Sequence, residues 1–152
     1  GNISQAQVLF DNGILKILGH LLDSDDDRHV KEATWIISNL CASNSAHIQL
    51  VKDAEIYPKI LKFLTHENYK IRREAVWTIF NTLQSGNYEQ VNYLVVNEVF
   101  KIFTLLLDAT EEEIVRTVLD TIFQILLTGE SHFTEVNLYG ILVDKYGGKK
   151  FS

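Results

Sequence analysis

The chain contains no methionine, one cysteine (Cys41), one proline (Pro58) and eight glycines in 152 residues. One cysteine excludes an internal disulfide framework. Scarce proline and thinly spread glycine leave few breakers and favour helix. No apolar run reaches the roughly 20 residues that a bilayer-spanning helix needs, and no signal peptide is read at the first residues, so a reducing, soluble compartment is the expectation. Basic residues are also few: 14 Lys and Arg against 20 Asp and Glu give a net charge of −6. Phosphate recognition needs clustered cations, so a nucleic-acid partner is not expected. The acidic balance suits a basic one. What remains is an ordinary globular composition, 46% hydrophobic and 22% charged, sufficient for a continuous core.

What the chain does have is an internal echo. Lys31-Glu32-Ala33-Thr34-Trp35-Ile36-Ile37-Ser38-Asn39 returns forty-two positions later as Arg73-Glu74-Ala75-Val76-Trp77-Thr78-Ile79-Phe80-Asn81. Five of the nine positions are identical and the first keeps its positive charge. A period of that length marks a stacked-repeat array. Ile14, Leu18, Leu21 and Leu22 align with Ile56, Ile60, Phe63 and Leu64, and then with Val99, Phe103, Leu106 and Leu107. The repeats run over 1–43, 44–86 and 87–129, with a partial fourth over 130–152. Together they make a single all-α domain.

Each repeat reads as three helices. The short first helices are Ala6 to Asp11, His47 to Asp53 and Glu89 to Val96; the second are Ile14 to Asp23, Pro58 to His66 and Val99 to Asp108. The long third helices carry the echoed stretch. Asn12-Gly13 supplies the first bend, where glycine tolerates conformations other residues avoid, and Pro58 falls in a first turn, where its missing N–H is harmless. The acidic stretches at Asp23 to Asp27 and Thr110 to Glu113 lead into third helices, whose N-termini favour negative charge.

At about 100° per residue, Val30, Ala33, Ile37, Leu40 and Cys41 form one buried stripe. Ile71, Ala75, Ile79 and Leu83 form the next. Both tryptophans fall on the opposite face, each flanked by Glu at i−3 and Asn at i+4. A single Trp on an amphipathic helix is usually core. Two at one phase with the same polar companions read as a binding surface. In the third repeat the stripe persists (Ile114, Val118, Ile122, Leu126), but the Glu, Trp and Asn positions hold Thr117, Asp120 and Gln124.

The stretches KEATWIISN and REAVWTIFN, the loop QSGNYEQVNYLV, the bend DNGIL and NLYGILVDKYG together resemble importin-α (karyopherin-α). The resemblance runs over essentially the whole chain and matches the seventh to ninth repeats and the start of the tenth. It implies an armadillo (ARM) solenoid, a right-handed superhelix of three-helix repeats. It also implies a nuclear import adaptor that binds lysine-rich nuclear localisation signals in extended form on a concave Trp/Asn array. This chain would hold the minor-site half. Importin-β and the nuclear export receptor are implied as partners of the full-length parent, which shuttles between cytoplasm and nucleus. Phe80 stands where the family usually has a small polar residue and is expected to narrow the second slot.

The chemistry can be derived from the residues. Stacked helices about 10 Å apart let two indoles frame a lysine stem while its ammonium stays near water. The indole faces add a cation–π attraction. Each Asn offers a donor and an acceptor to an extended backbone. The expected binding set is Trp35, Asn39, Trp77 and Asn81, then Glu32 and Glu74 for the basic heads, and Ser38 last. Affinity of this half-site alone is expected near 10 µM or weaker. The alternative is a general armadillo scaffold that docks a folded partner or the export receptor through other surfaces.

No cofactor or metal is expected. Asp23, Asp25 and Asp27 imitate the opening of a calcium loop, but Arg28 and Thr34 occupy its glycine and glutamate positions. The five histidines lack ligand spacing, and no catalytic constellation is visible. The missing methionines and an apolar first helix suggest a piece of a longer solenoid, whose end repeats are normally polar. Exposed apolar ends would then favour self-association.

Overall fold

The computed structural model describes residues 13–97 and 111–120, and among these all regular structure is helical. The helices are α1 (Ile14–Leu22), α2 (Asp27–Ser43), α3 (Ser45–Asp53), α4 (Tyr57–Phe63), α5 (Tyr69–Ser85), α6 (Tyr88–Val96) and α7 (112–120). The anticipated helices at Ala6 to Asp11 and Val99 to Asp108, and the stripe residues Ile122 and Leu126, lie outside the described residues.

Polar side chains set the helix starts. Asp26 caps α2 by accepting from the Arg28 amide at 2.9 Å, and Asn68, forty-two residues on, caps α5 by accepting from Lys70 at 2.9 Å. Asn44 caps α3, while Asn87 and Gln90 form a reciprocal capping box on α6. Such caps satisfy amides that have no partner within the helix. Gly13 enters α1 with φ 75°, the left-handed backbone expected of that bend. Its counterpart in the next unit is Glu55, at φ 59°. Pro58 lies in the first turn of α4.

The two long helices, α2 and α5, pack side by side and form the spine. Leu18, Leu22, Ala33, Ile37, Cys41, Ile48, Ile56, Tyr57, Ile60, Leu64, Ala75 and Ile79 are buried in one continuous core, joined by Ile114 and Val118 of α7. Leu40 and Leu83, assigned to the stripes, are only half-buried at their edges. The buried face is also wider than a stripe: Thr34 and Ser38 on α2, and Val76, Thr78 and Thr82 on α5, are buried too. A long helix flanked by its own unit on one side and a neighbour on the other has two faces to cover. Small hydroxyl residues suit the second face, because they allow close approach and bond back to their own helix. Thr34 donates to the Val30 carbonyl at 2.7 Å and Thr78 to that of Glu74 at 2.8 Å.

A polar chain crosses this core. Thr82 Oγ1 donates to the Thr78 carbonyl at 2.9 Å, so it accepts from Tyr57 Oη at 2.6 Å. Tyr57 in turn accepts from Cys41 Sγ at 3.3 Å. Cys41, read as a core residue, is fully buried, and burial pushes its thiol pKa up.

Polar links also join successive units. Lys59 donates to the Gly19 carbonyl at 3.0 Å and pairs with Asp23 at 2.7 Å. Asn68 donates to Asp27 at 2.9 Å. Gln90 reaches the Ser45 carbonyl at 2.8 Å, and Arg72 pairs with Glu111.

Candidate peptide-binding cleft

Because α2 and α5 lie side by side in equivalent registers, their equivalent residues face one cleft. It has a volume of about 380 Å³ and is lined by Trp35, Ser38, Asn39, Arg73, Glu74, Trp77, Asn81 and Glu113. Six of the seven expected binding residues therefore come together there. The seventh, Glu32, lines an adjoining cleft with Asp27, Arg28, Lys31, Asn68 and Lys70 and pairs with Lys31 at 3.4 Å.

The two tryptophans are not equivalent. Trp35 is 49% exposed, a large apolar area to leave in water on a helix whose other face is fully buried. Trp77 is half-buried. The Phe80 ring packs edge-on against it, with centroids 5.3 Å apart and planes at 85°. One turn along the same helix, Phe80 leans on Trp77 and is not among the residues lining this cleft. An edge-to-face pair of this kind holds the indole in place.

The asparagines also differ. Asn81 donates through Nδ2 to the backbone carbonyl of Ser38 at 2.9 Å, which leaves its Oδ1 and second N–H free to turn toward the cleft. Asn39 is exposed. Ser38 is buried, and its hydroxyl donates to the Trp35 carbonyl at 2.7 Å. Its backbone oxygen, through Asn81, is the part of Ser38 that shapes the cleft.

Charge is concentrated at one end. Glu74 is half-buried, and desolvation raises its carboxyl pKa against the opposing pull of Arg73 and Lys31. Arg73 Nε donates to Glu113 Oε1 at 2.9 Å, and Tyr69 Oη donates to the other carboxylate oxygen at 3.3 Å. Arg73 and Glu113 were not among the expected residues. Arg73 was detectable, because it precedes Trp77 by four residues and so shares its face. Glu113 was not, since it arrives from the following unit.

In the third unit Asp120, at the Trp position, is exposed, but Thr117, placed at the Glu position of the exposed face, is buried.

A profile of the armadillo/β-catenin-like repeat matches residues 2–42 and 44–82. The chain belongs to the armadillo/β-catenin-like repeat family. It superposes with a TM-score of 0.80, at 29% identity, on a designed armadillo repeat protein solved in complex with the peptide (KR)4, covering 94% of this chain and 57% of that one. It is 30% identical over 120 residues to importin subunit alpha-5 of Arabidopsis thaliana, which is 78% of this chain and 23% of that protein. To importin subunit alpha-8 of the same plant it is 28% identical over 152 residues, 97% of this chain and 34% of the relative. It therefore spans a quarter to a third of the length of these relatives. The all-α solenoid of three-helix armadillo units, expected from the forty-two-residue period, is the fold observed. Armadillo repeats work by binding and not by catalysis, in keeping with the absence of a catalytic constellation from the sequence.

Proposed function

We propose that this armadillo solenoid is part of a nuclear import adaptor and binds lysine-rich nuclear localisation signals, in extended form, across the Trp35–Trp77 cleft. The observation that carries this reading is the convergence of two indoles, two asparagines and Glu74 from consecutive units on one open cleft. The indoles sandwich the lysine stem, and Glu74 meets its ammonium. Asn39 and Asn81 pair with the peptide backbone. Glu32 serves the neighbouring cleft and Ser38 acts through its carbonyl. The relatedness to importin α subunits supports the transport role, and the designed relative bound to (KR)4 supports a basic peptide as ligand. In this reading importin-β and the export receptor engage the parent adaptor elsewhere, and the protein shuttles between cytoplasm and nucleus.

The test is a tryptophan-fluorescence titration with (KR)4 at low and moderate salt. A saturable change near 10 µM or weaker, reduced by salt, is the expected result, with the heat of binding in a parallel calorimetric titration lost in Trp35→Ala/Trp77→Ala, which keeps its helicity but has no tryptophan left to report. A flat titration would overturn it and favour a scaffold that docks folded partners through other surfaces.

A further inference from the structure

Two carboxylates, Glu74 and Glu113, line the cleft, and one of them is already taken. Arg73 shares the cleft face with Trp77, four residues away on α5, and its guanidinium donates to Glu113 at 2.9 Å. Both partners remain nearly half exposed, at 45% and 42% of their side-chain surface. The pair is therefore accessible to a ligand and not locked in the core. Arg73 also attracts Glu74, more strongly than Lys31 does, and that attraction works against the burial of the carboxylate. A cation entering the cleft meets a net charge of about −1 from these three residues, although two acids are present.

We propose that Arg73 is a resident competitor of the incoming lysine: held on Glu113, its guanidinium occupies the acidic end of the Trp35–Trp77 cleft, and the ligand binds by taking over the carboxylates that Arg73 neutralises. This rests on the basic-peptide reading of the cleft and adds its regulation. The intramolecular pair sets a threshold that a single stray cation does not cross. A run of lysines crosses it, because neighbouring heads engage Glu74 and Glu113 together. The same ion pair ties α5 to α7, so displacing Arg73 also loosens the joint between the second and third units. Cleft occupancy is thereby linked to the geometry of the solenoid.

The experiment titrates the full chain and its variants with (KR)4, with helicity and thermal midpoint recorded for each. Arg73→Gln is expected to bind about threefold tighter than the parent chain, the scale of one exposed ion pair, and with a steeper salt dependence. Arg73→Lys keeps the charge and is expected to bind as the parent does. Glu113→Lys, which removes the acceptor and adds a second cation, is expected to weaken binding by about tenfold. It carries the test should Arg73→Gln fail to fold. Parent binding that depends on Trp77, combined with no tightening in a folded Arg73→Gln or unchanged affinity in Glu113→Lys, overturns the competitor and leaves the cleft reading standing. Binding that is absent from the parent, or indifferent to Trp35→Ala/Trp77→Ala, overturns both.

Discussion

The side-chain amide of Asn81 is hydrogen-bonded at 2.9 Å to the backbone carbonyl of Ser38, in the preceding unit. One residue thus joins two units and faces the cleft between them. The bond fixes the amide plane and decides which of its atoms a ligand can reach. Its counterpart Asn39 makes no such bond among the described residues.

This asymmetry separates two substitutions that look alike in the sequence. Asn81→Ala should cost about 1 kcal/mol of stability and roughly tenfold in (KR)4 affinity. Asn39→Ala should cost a comparable factor in affinity and almost nothing in stability. Urea denaturation beside a peptide titration checks both. Equal stability losses would show that the Ser38 bond has no energetic weight.

Glu55 holds φ 59° at the position where the first unit has Gly13 at φ 75°. A side chain in the left-handed region costs about 1–2 kcal/mol, and Glu55 is exposed, so little packing is lost with it. Glu55→Gly should therefore raise stability by about 0.5–1 kcal/mol, after the extra chain entropy of glycine is set against the relieved strain. A chemical denaturation midpoint that falls would contradict this.

Glu74 supplies the pH dependence. Its carboxyl is raised above the ordinary value of 4.5 by burial, so the folded chain binds more protons than the unfolded one between the two values. Its contribution to stability is full below the unfolded pKa and is lost as pH rises through the folded one. Peptide binding runs the other way. A lysine beside Glu74 favours the carboxylate, so affinity for (KR)4 should rise with pH across that window, with proton release. Calorimetry in buffers of different ionisation heat measures the release. Glu74→Gln should abolish it.

Asp26 has the opposite sign. Hydrogen bonds from the Arg28 side chain and amide hold its pKa at about 2, so its contribution is present above 3.8 and is lost as pH falls toward 2.

The chain Cys41–Tyr57–Thr82 requires a protonated thiol as its first donor. Cys41 should therefore ignore thiol reagents in the folded protein and react only on opening. Tyr57→Phe, which breaks both bonds and leaves Thr82 short of a donor, should cost about 1–3 kcal/mol. It should also speed the labelling of Cys41. Labelling of the native chain at the rate of a free thiol would refute the arrangement.

Much of this was readable in the sequence because it follows a single helical period. The outward face of Trp35 and Trp77, the burial of Ile37, Cys41 and Ile79, the bend at Gly13 and the place of Pro58 all follow from spacing along one helix. What lay beyond that reach comes from the stacking itself. Arg73 meets Glu113 forty residues away, Asn81 meets a backbone carbonyl that carries no side-chain signature, and Ser38 turns inward because a neighbouring helix covers it. Thr117 was misplaced for the same reason: a phase carried over from earlier units ignores what packs against the third. Glu32 and Glu74 are identical in phase, but only Glu74 lines the cleft that holds the two tryptophans.

Several of the polar ties between units span about one repeat. Lys59 to Gly19, Asn68 to Asp27, Asn81 to Ser38, Gln90 to Ser45 and Arg73 to Glu113 each bridge 40 to 45 residues. Each therefore fastens a unit to its immediate neighbour, as the links of a watch strap do. Drawn out by its two ends, such a molecule would yield one link at a time, in a sawtooth of force. At smaller strain it would flex at its joints, so the spacing of its binding slots could adapt to whatever thread is laid along them.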